Sequence, residues 1–146
     1  YLILQQDNAD DYVISTGVTT TIRDFIKMSF AEVGVTVEFK GQDEKEEAFI
    51  ASVNEAVFLE KVGEEYLSDF KKRIGESVVG VDPAYFRPTE VDILIGDNTK
   101  ARTKLGWEPS YDLAGLCEDM MMNDINLMKK EEFLRKGGYQ ILNYFE

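Results

Sequence analysis

The run TTTIRDFIKMSFAEVG passes directly into VTVEFKG, and the change of period between them constrains the fold more than any other feature. In the first stretch Ile22, Phe25, Ile26, Ser29, Phe30 and Val33 fall on one face of a helix. Residues 19–21 offer threonine N-caps and Gly34 a stop. In the second, apolar residues alternate with Thr36 and Glu38, the period-2 signature of a strand. Ahead of the helix, DYVIST (residues 11–16) is a β-branched run followed by Gly17, which reads as another strand. Strand, helix, strand predicts a parallel pair joined by a crossover over residues 20–33. Parallel strands are normally covered on both faces. This chain has too few helices for that, so the remaining cover is expected from elsewhere. The predicted class is α/β without a complete doubly wound sheet.

Further along, QDEKEEA reads as a solvated turn and SVVGVDP as a third strand. Residues 49–72, with FLEKVGEEYLSDFKKR inside them, suit either a charged helix or an inserted loop. VDILIGD is a short extended run ending in a turn. Asn98 is the expected cap of a helix reaching Leu105, closed by Gly106 and Pro109. Asp112 should cap a last long helix, with Leu113, Leu116, Cys117, Met120, Met121 and Met128 as its apolar stripe and Gly137 and Gly138 at its end. Trp107 reads as a core anchor and Cys117 as an inert buried thiol. The opening YLILQQDNADDY reads as the last turn of a helix running into a strand, the pattern expected of a truncated chain.

Composition removes several chemistries. A net charge of −12 argues against a surface that tracks nucleic-acid phosphates. An anion could bind only where a local arginine or a helix N-terminus reverses the field. One cysteine and no histidine exclude an intrachain disulfide, a Cys/His zinc site and Ser-His or Cys-His machinery. No apolar run is long enough to span a bilayer, and no signal peptide is visible. The sequence has no Gly-x-Gly, no lysine-containing phosphate loop and no Tyr-x-x-x-Lys. It holds no complete catalytic set.

Binding features are better marked. Arg87 follows Tyr85 and Phe86 and precedes Pro88. Aromatic neighbours can hold a guanidinium rigid and partly desolvated, and a fixed fork suits phosphate oxygens. Glu90, three residues on, could point the same way and accept hydroxyl hydrogen bonds from a ribose. The residues alone favour a plain surface ion pair between these two, contributing about 0–1 kcal/mol. Arg23, in the first turn of its helix, opposes the helix dipole, which a surface tolerates and a bound anion would reverse.

The segments DDYVISTG, IRDF, VDPAYFRPTEVD and GDNTKARTKLGWEP, with the closing GGYQILNYFE, resemble the C-terminal part of the GDP-mannose 4,6-dehydratase family, within the extended short-chain dehydrogenases/reductases. The resemblance covers nearly the whole chain and is weakest over residues 55–75. It implies that residues 1–146 are a single C-terminal substrate-binding portion, made of late sheet strands and the substrate-binding subdomain. The NADP-binding Rossmann domain, with the family's catalytic Thr, Glu, Tyr and Lys, would lie outside this sequence. It implies that Arg87 contacts the diphosphate of GDP-mannose and Glu90 the ribose. The turn Gly17-Val18-Thr19 would place Val18 beside the nucleotide, and Arg23 falls on a family position. The implied reaction moves a hydride from C4 of the mannose to NADP, loses water across C5 and C6, and returns the hydride at C6. The expected setting is a cytoplasmic homo-oligomer, without nucleic acid, membrane or metal, in which this portion alone is inactive. Two other readings stay open: a different nucleotide-sugar epimerase or dehydratase of the same superfamily, and a stand-alone binding module without a catalytic half.

Overall fold

The computed structural model describes residues 1–87, 89 and 93–140. Helix α1 (Ile22–Glu32) starts at Thr21, whose hydroxyl oxygen accepts from the Asp24 amide at 3.0 Å and donates to the Asp24 carboxylate at 2.7 Å. This reciprocal cap satisfies a donor that the first turn would otherwise leave open. The helix ends at Gly34, with φ +74°. A Cβ there would lie 2.7 Å from the Asn54 carbonyl and 2.9 Å from Val57 Cβ, so only glycine lets the chain reverse against its neighbour.

Strand β1 (Val35–Lys40) then alternates as expected: Val35 and Val37 are buried, Thr36 and Glu38 exposed. Its partner is β2 (Glu47–Val53), with Val37 opposite Ile50 and Phe39 opposite Ala48. Strand β3 (Ser77–Gly80) pairs on the other side of β2, and both pairings are antiparallel. The expected parallel pair is therefore corrected. Residues 11–16 join no ladder, and the helix before β1 is not a crossover within this sheet. An antiparallel sheet needs only one covered face. The expected shortage of helices disappears with that change, because the face bearing Thr36 and Glu38 meets solvent. The mixture of helices and sheet agrees with the α/β class.

The undecided stretch after Phe49 resolves into the end of β2 and a helical hairpin, α2 (Glu55–Lys61) and α3 (Glu64–Lys71), joining β2 to β3. Asn54 caps α2 by accepting from the Val57 amide at 3.4 Å. The hairpin is no solvated loop. Phe58 is 2% exposed and packs its ring 4.9 Å from that of Phe70. Val33, Val35, Val37, Ala48, Ile50 and Phe58 form one core cluster.

Helix α4 (Thr99–Leu105) and the 24-residue α5 (Leu113–Lys136) complete the fold. Asp112 caps α5 as expected, accepting from the Gly115 amide at 2.8 Å. The expected stripe is only partly right. Cys117 is fully buried, its sulfur 3.4 Å from the Ser29 hydroxyl, and Met121 and Ile125 flank the core. Leu116, Met120 and Met128 are exposed, the last at 63%. The side of α5 facing α1 and the hairpin runs through residues 117, 121 and 125, a quarter-turn from Leu116 and Met120. Tyr66 of α3 donates to Glu132 of α5, and Lys129 donates to the Lys61 carbonyl at 3.3 Å. Hydrogen bonding to Glu132, then burial, pushes the Tyr66 hydroxyl up to about 12. Trp107, expected as an anchor, is half-buried, and residues 2–5 form one 3-10 turn. Among the described residues no helix is long and apolar enough to cross a membrane.

If the hairpin belongs to the core, Phe58→Ala should lower stability by about 3–5 kcal/mol, and Phe58→Leu by clearly less. Chemical denaturation checks this, and a loss within 1 kcal/mol for Phe58→Ala would show that the hairpin is an appendage.

Candidate functional site

Asp82-Pro83-Ala84-Tyr85 is a tight turn: the Asp82 carboxylate accepts from the Ala84 amide at 2.9 Å and its carbonyl from the Tyr85 amide at 3.0 Å. Asp at the first position and Pro at the second favour this geometry. The turn delivers Phe86 and Arg87 to a cleft of about 770 Å³. Ile22 and Arg23 from α1, Asp43 and Glu46 from the turn before β2, and Val81 after β3 line the same cleft. Two of the expected site residues, Arg23 and Arg87, thus meet although 64 positions separate them (87 − 23). Of the two aromatic neighbours of Arg87, Tyr85 is 82% exposed and Phe86 is half-buried, and Arg87 is itself exposed.

Arg23 is held from two sides. Its Nε donates to Glu46 Oε1 at 3.0 Å, Nη2 donates to the same oxygen, and the guanidinium carbon sits 5.6 Å from the centre of the Phe39 ring. Opposition to the helix dipole at the start of α1 is thereby offset by a carboxylate and an aromatic face. The sequence gives no sign of Glu46 in this role, because the sheet and not any local spacing brings it to Arg23.

Val18 is 73% exposed and lies on a different cleft, of about 820 Å³, between the segment carrying Thr16 and Thr20 and the start of α5 at residues 109–116. The structure does not bring Val18 into the Arg23–Arg87 cleft. One segment serves both clefts, since Thr20 lines one and Ile22, two residues on, lines the other. Glu90, the expected ribose ligand, lies outside the described residues.

The chain leading to Val18 is pinned at Asp10, which Lys100 and Lys104 of α4 contact together at its two carboxylate oxygens. One turn of helix separates these lysines, so both reach the same side. Their hydrogen bonds, Lys100 first, hold the Asp10 carboxyl down at about 2. Asn98 is the N-cap residue of α4, as expected, but its side chain makes no capping bond; Asp97, just before it, accepts from the Thr99 amide at 2.9 Å, and the Thr99 bonds lower the Asp97 carboxyl. Among the described residues no group of acidic or sulfur side chains could hold a metal ion.

Fold and clefts define a small α/β unit in which one loop segment borders two adjoining clefts, one of them holding a pair of arginines. A family model described as GDP-mannose 4,6 dehydratase matches residues 1–120, and the chain belongs to that family. Its relatives include the GDP-mannose 4,6-dehydratase of Yersinia enterocolitica serotype O:8, 36% identical over 141 residues, covering 97% of this chain and 35% of the relative. The Vibrio cholerae serotype O1 protein of that name is 37% identical over the same coverage. The Homo sapiens GDP-mannose 4,6 dehydratase is 36% identical over 129 residues, 88% of this chain and 29% of that protein. The chain spans about a third of the length of these curated relatives.

The Asp10 clamp has a pH signature. Its folded pKa is depressed from 3.8 to about 2, so its stabilising effect is present above the ordinary value and is lost as the pH falls from about 4 towards 2. NMR titration of the Asp10 carboxyl should give a midpoint near 2, moving up towards 3.8 in Lys100→Met/Lys104→Met. An unshifted midpoint in the unaltered protein would refute the clamp.

Proposed function

We propose that this chain is the C-terminal substrate-binding portion of a GDP-mannose 4,6-dehydratase, one unit over residues 1–146 that holds the GDP end of GDP-mannose. The observation that carries the reading is the meeting of Arg23 and Arg87 in one cleft of a chain with net charge −12. A diphosphate would be repelled by most of this surface and held only where a guanidinium reverses the local field, here against the Asp43 and Glu46 carboxylates of the same cleft. Arg87 offers the diphosphate a planar fork and Arg23 a second cation, steadied by Glu46. Glu90 accepts from the ribose hydroxyls, and Val18 gives the nucleotide an apolar contact from the neighbouring cleft.

The whole enzyme converts GDP-mannose to GDP-4-keto-6-deoxymannose, on the way to GDP-fucose. Its NADP would not fit this chain. The glycine that begins a helix here, Gly63, is followed by Glu64 and Glu65, and a Cβ on it would meet the Glu65 carboxylate at 2.8 Å. A pyrophosphate at that helix end would face two negative charges where a dinucleotide site presents bare amides. The family resemblance assigns the cofactor and the proton-moving groups to a Rossmann half. Exposed Val13, Ile14, Ile93, Leu94 and Ile95 support the reading that further protein covers this end. The family resemblance extends it to a homo-oligomeric, cytoplasmic enzyme.

In the native protein Arg87→Ala should weaken GDP binding about tenfold to a hundredfold, the equivalent of one charge-assisted hydrogen bond. Arg87→Lys should restore only part of it, because an ammonium cannot reproduce a fork. Separate calorimetric titrations of GDP and NADP check this. Unchanged GDP affinity, or weakened NADP binding instead, would remove Arg87 from the diphosphate. The 146-residue polypeptide by itself should give no 4-keto product from GDP-mannose and NADP, and detectable product would place catalytic groups in this chain.

A further inference from the structure

Asn98 is a polar residue only 9% exposed, standing where a helix cap belongs, yet its side chain caps nothing. Asp97 has taken over the amide at the start of α4. The Asn98 amide reaches the other way and donates from Nδ2 to the Ser15 carbonyl at 2.6 Å, across 83 positions. A carbonyl can only accept, so the orientation of the amide follows from the chemistry. Two further bonds run beside it. Ser15 Oγ donates to the Gly96 carbonyl at 2.7 Å, and Thr19 Oγ1 donates to the Leu94 carbonyl at 3.2 Å. The approach is close enough that a Cβ on Gly96 would stand 2.6 Å from Ser15 Oγ and 2.7 Å from Ser15 Cβ. Neither segment belongs to the sheet. Three side-chain bonds tie them together in place of a strand ladder.

Both segments lead to the clefts. Residues 15–19 carry Thr16 and Val18 to one and continue to Ile22 and Arg23 in the other. Residues 94–98 come shortly after the turn that presents Arg87. We propose that Asn98, supported by Ser15 and Thr19, is a positioning residue that sets the Val18–Arg23 segment against the segment following Arg87, and so fixes the spacing between the two sides of the nucleotide-sugar site. This rests on the reading of the site given above. A loop without ladder bonds samples many conformations, and each tie removes some of them before the ligand arrives.

Asn98→Asp separates positioning from helix capping. Aspartate has nearly the same shape and caps a helix as well as asparagine, but it cannot donate to the Ser15 carbonyl and repels it. In the native protein the GDP affinity should fall about tenfold in Asn98→Asp. Amide hydrogen exchange should speed up at Val18, whose amide donates to Thr16 Oγ1 at 3.3 Å, while the amides of Val37 and Ile50 in the sheet keep their protection. Thr19→Val, at an exposed position, removes a second tie and should give a smaller change of the same kind, which keeps the test open if Asn98→Asp does not fold. The loss in an Arg87→Ala/Asn98→Asp double variant should be less than the product of the two single losses, because Asn98 would act through the site that Arg87 helps to form. Arg87-dependent GDP binding that Asn98→Asp and Thr19→Val leave unchanged would overturn the positioning role alone. Failure of the unaltered protein to bind GDP would overturn the reading of the site and this role with it.

Discussion

The pairing of β1 with β2 is the constraint on which the other elements depend. It sets Val37 opposite Ile50 and Phe39 opposite Ala48, so that alternate residues of both strands build one apolar face. A slip of one residue would turn Val35 and Val37 to solvent and bring Thr36 and Glu38 inward. Every helix of the core is addressed to this face: α1 through Ile26 and Phe30, α2 through Phe58, α3 through Leu67 and Phe70, α5 through Met121 and Ile125. Gly34 lets α1 turn straight into β1, and its carbonyl accepts from the Asn54 amide at 2.6 Å. The end of β2 and the start of the hairpin are thus fixed by the same turn. The hairpin can be long because antiparallel neighbours put no upper limit on their connection and because Phe58 gives it a place in the core.

What could be read from the sequence followed local period and local chemistry. Helix α1, strand β1, the Thr21 and Asp112 caps and the burial of Cys117 all depend on residues within a turn of one another. What failed depends on partners far along the chain. Residues 11–16 have the composition of a strand, but a strand exists only with a ladder, and their neighbours near Gly96 meet them through side chains. The charged stretch after Asn54 was undecidable because Phe58 and Phe70 are few apolar positions among many charges, and only the folded sheet gives them something to cover. Asn98 was placed correctly at the start of α4, but the direction of its side chain was not legible, because its partner is the Ser15 carbonyl 83 positions away while Asp97 takes the Thr99 amide.

The candidate site shows the same division. Arg87 stood out by its neighbours, but the turn Asp82-Pro83-Ala84-Tyr85 that presents it did not, because Asp82 and Pro83 read as the end of a strand that stops at Gly80. Its meeting with Arg23 was not, because that depends on where α1 and the end of β3 fall on the sheet. Glu46 belongs to the turn before β2, and β1 brings Phe39 beneath Arg23, so the guanidinium is oriented by two residues that no motif connects. Val18 went to the adjoining cleft because its segment leaves the sheet region and turns towards α5.

The two clefts therefore rest on supports of different stiffness. The Arg23 side is bound to the sheet through α1, Phe39 and Glu46. The segment bearing Val18 has no ladder and hangs from Asp10 at one end and the ties of Ser15, Thr19 and Asn98 at the other. Each tie to a backbone carbonyl is short and directional, and each can open without exposing the core. Such an arrangement suits a surface that must admit a ligand: cations held in place, with a border that can yield and then close on its ties. The apolar residues of that border, Val13, Ile14, Ile93 and Leu94, are exposed, while the backbone beside them is already tied at the Leu94 and Gly96 carbonyls by Thr19 and Ser15. The shape of the border is thus set by the chain's own bonds.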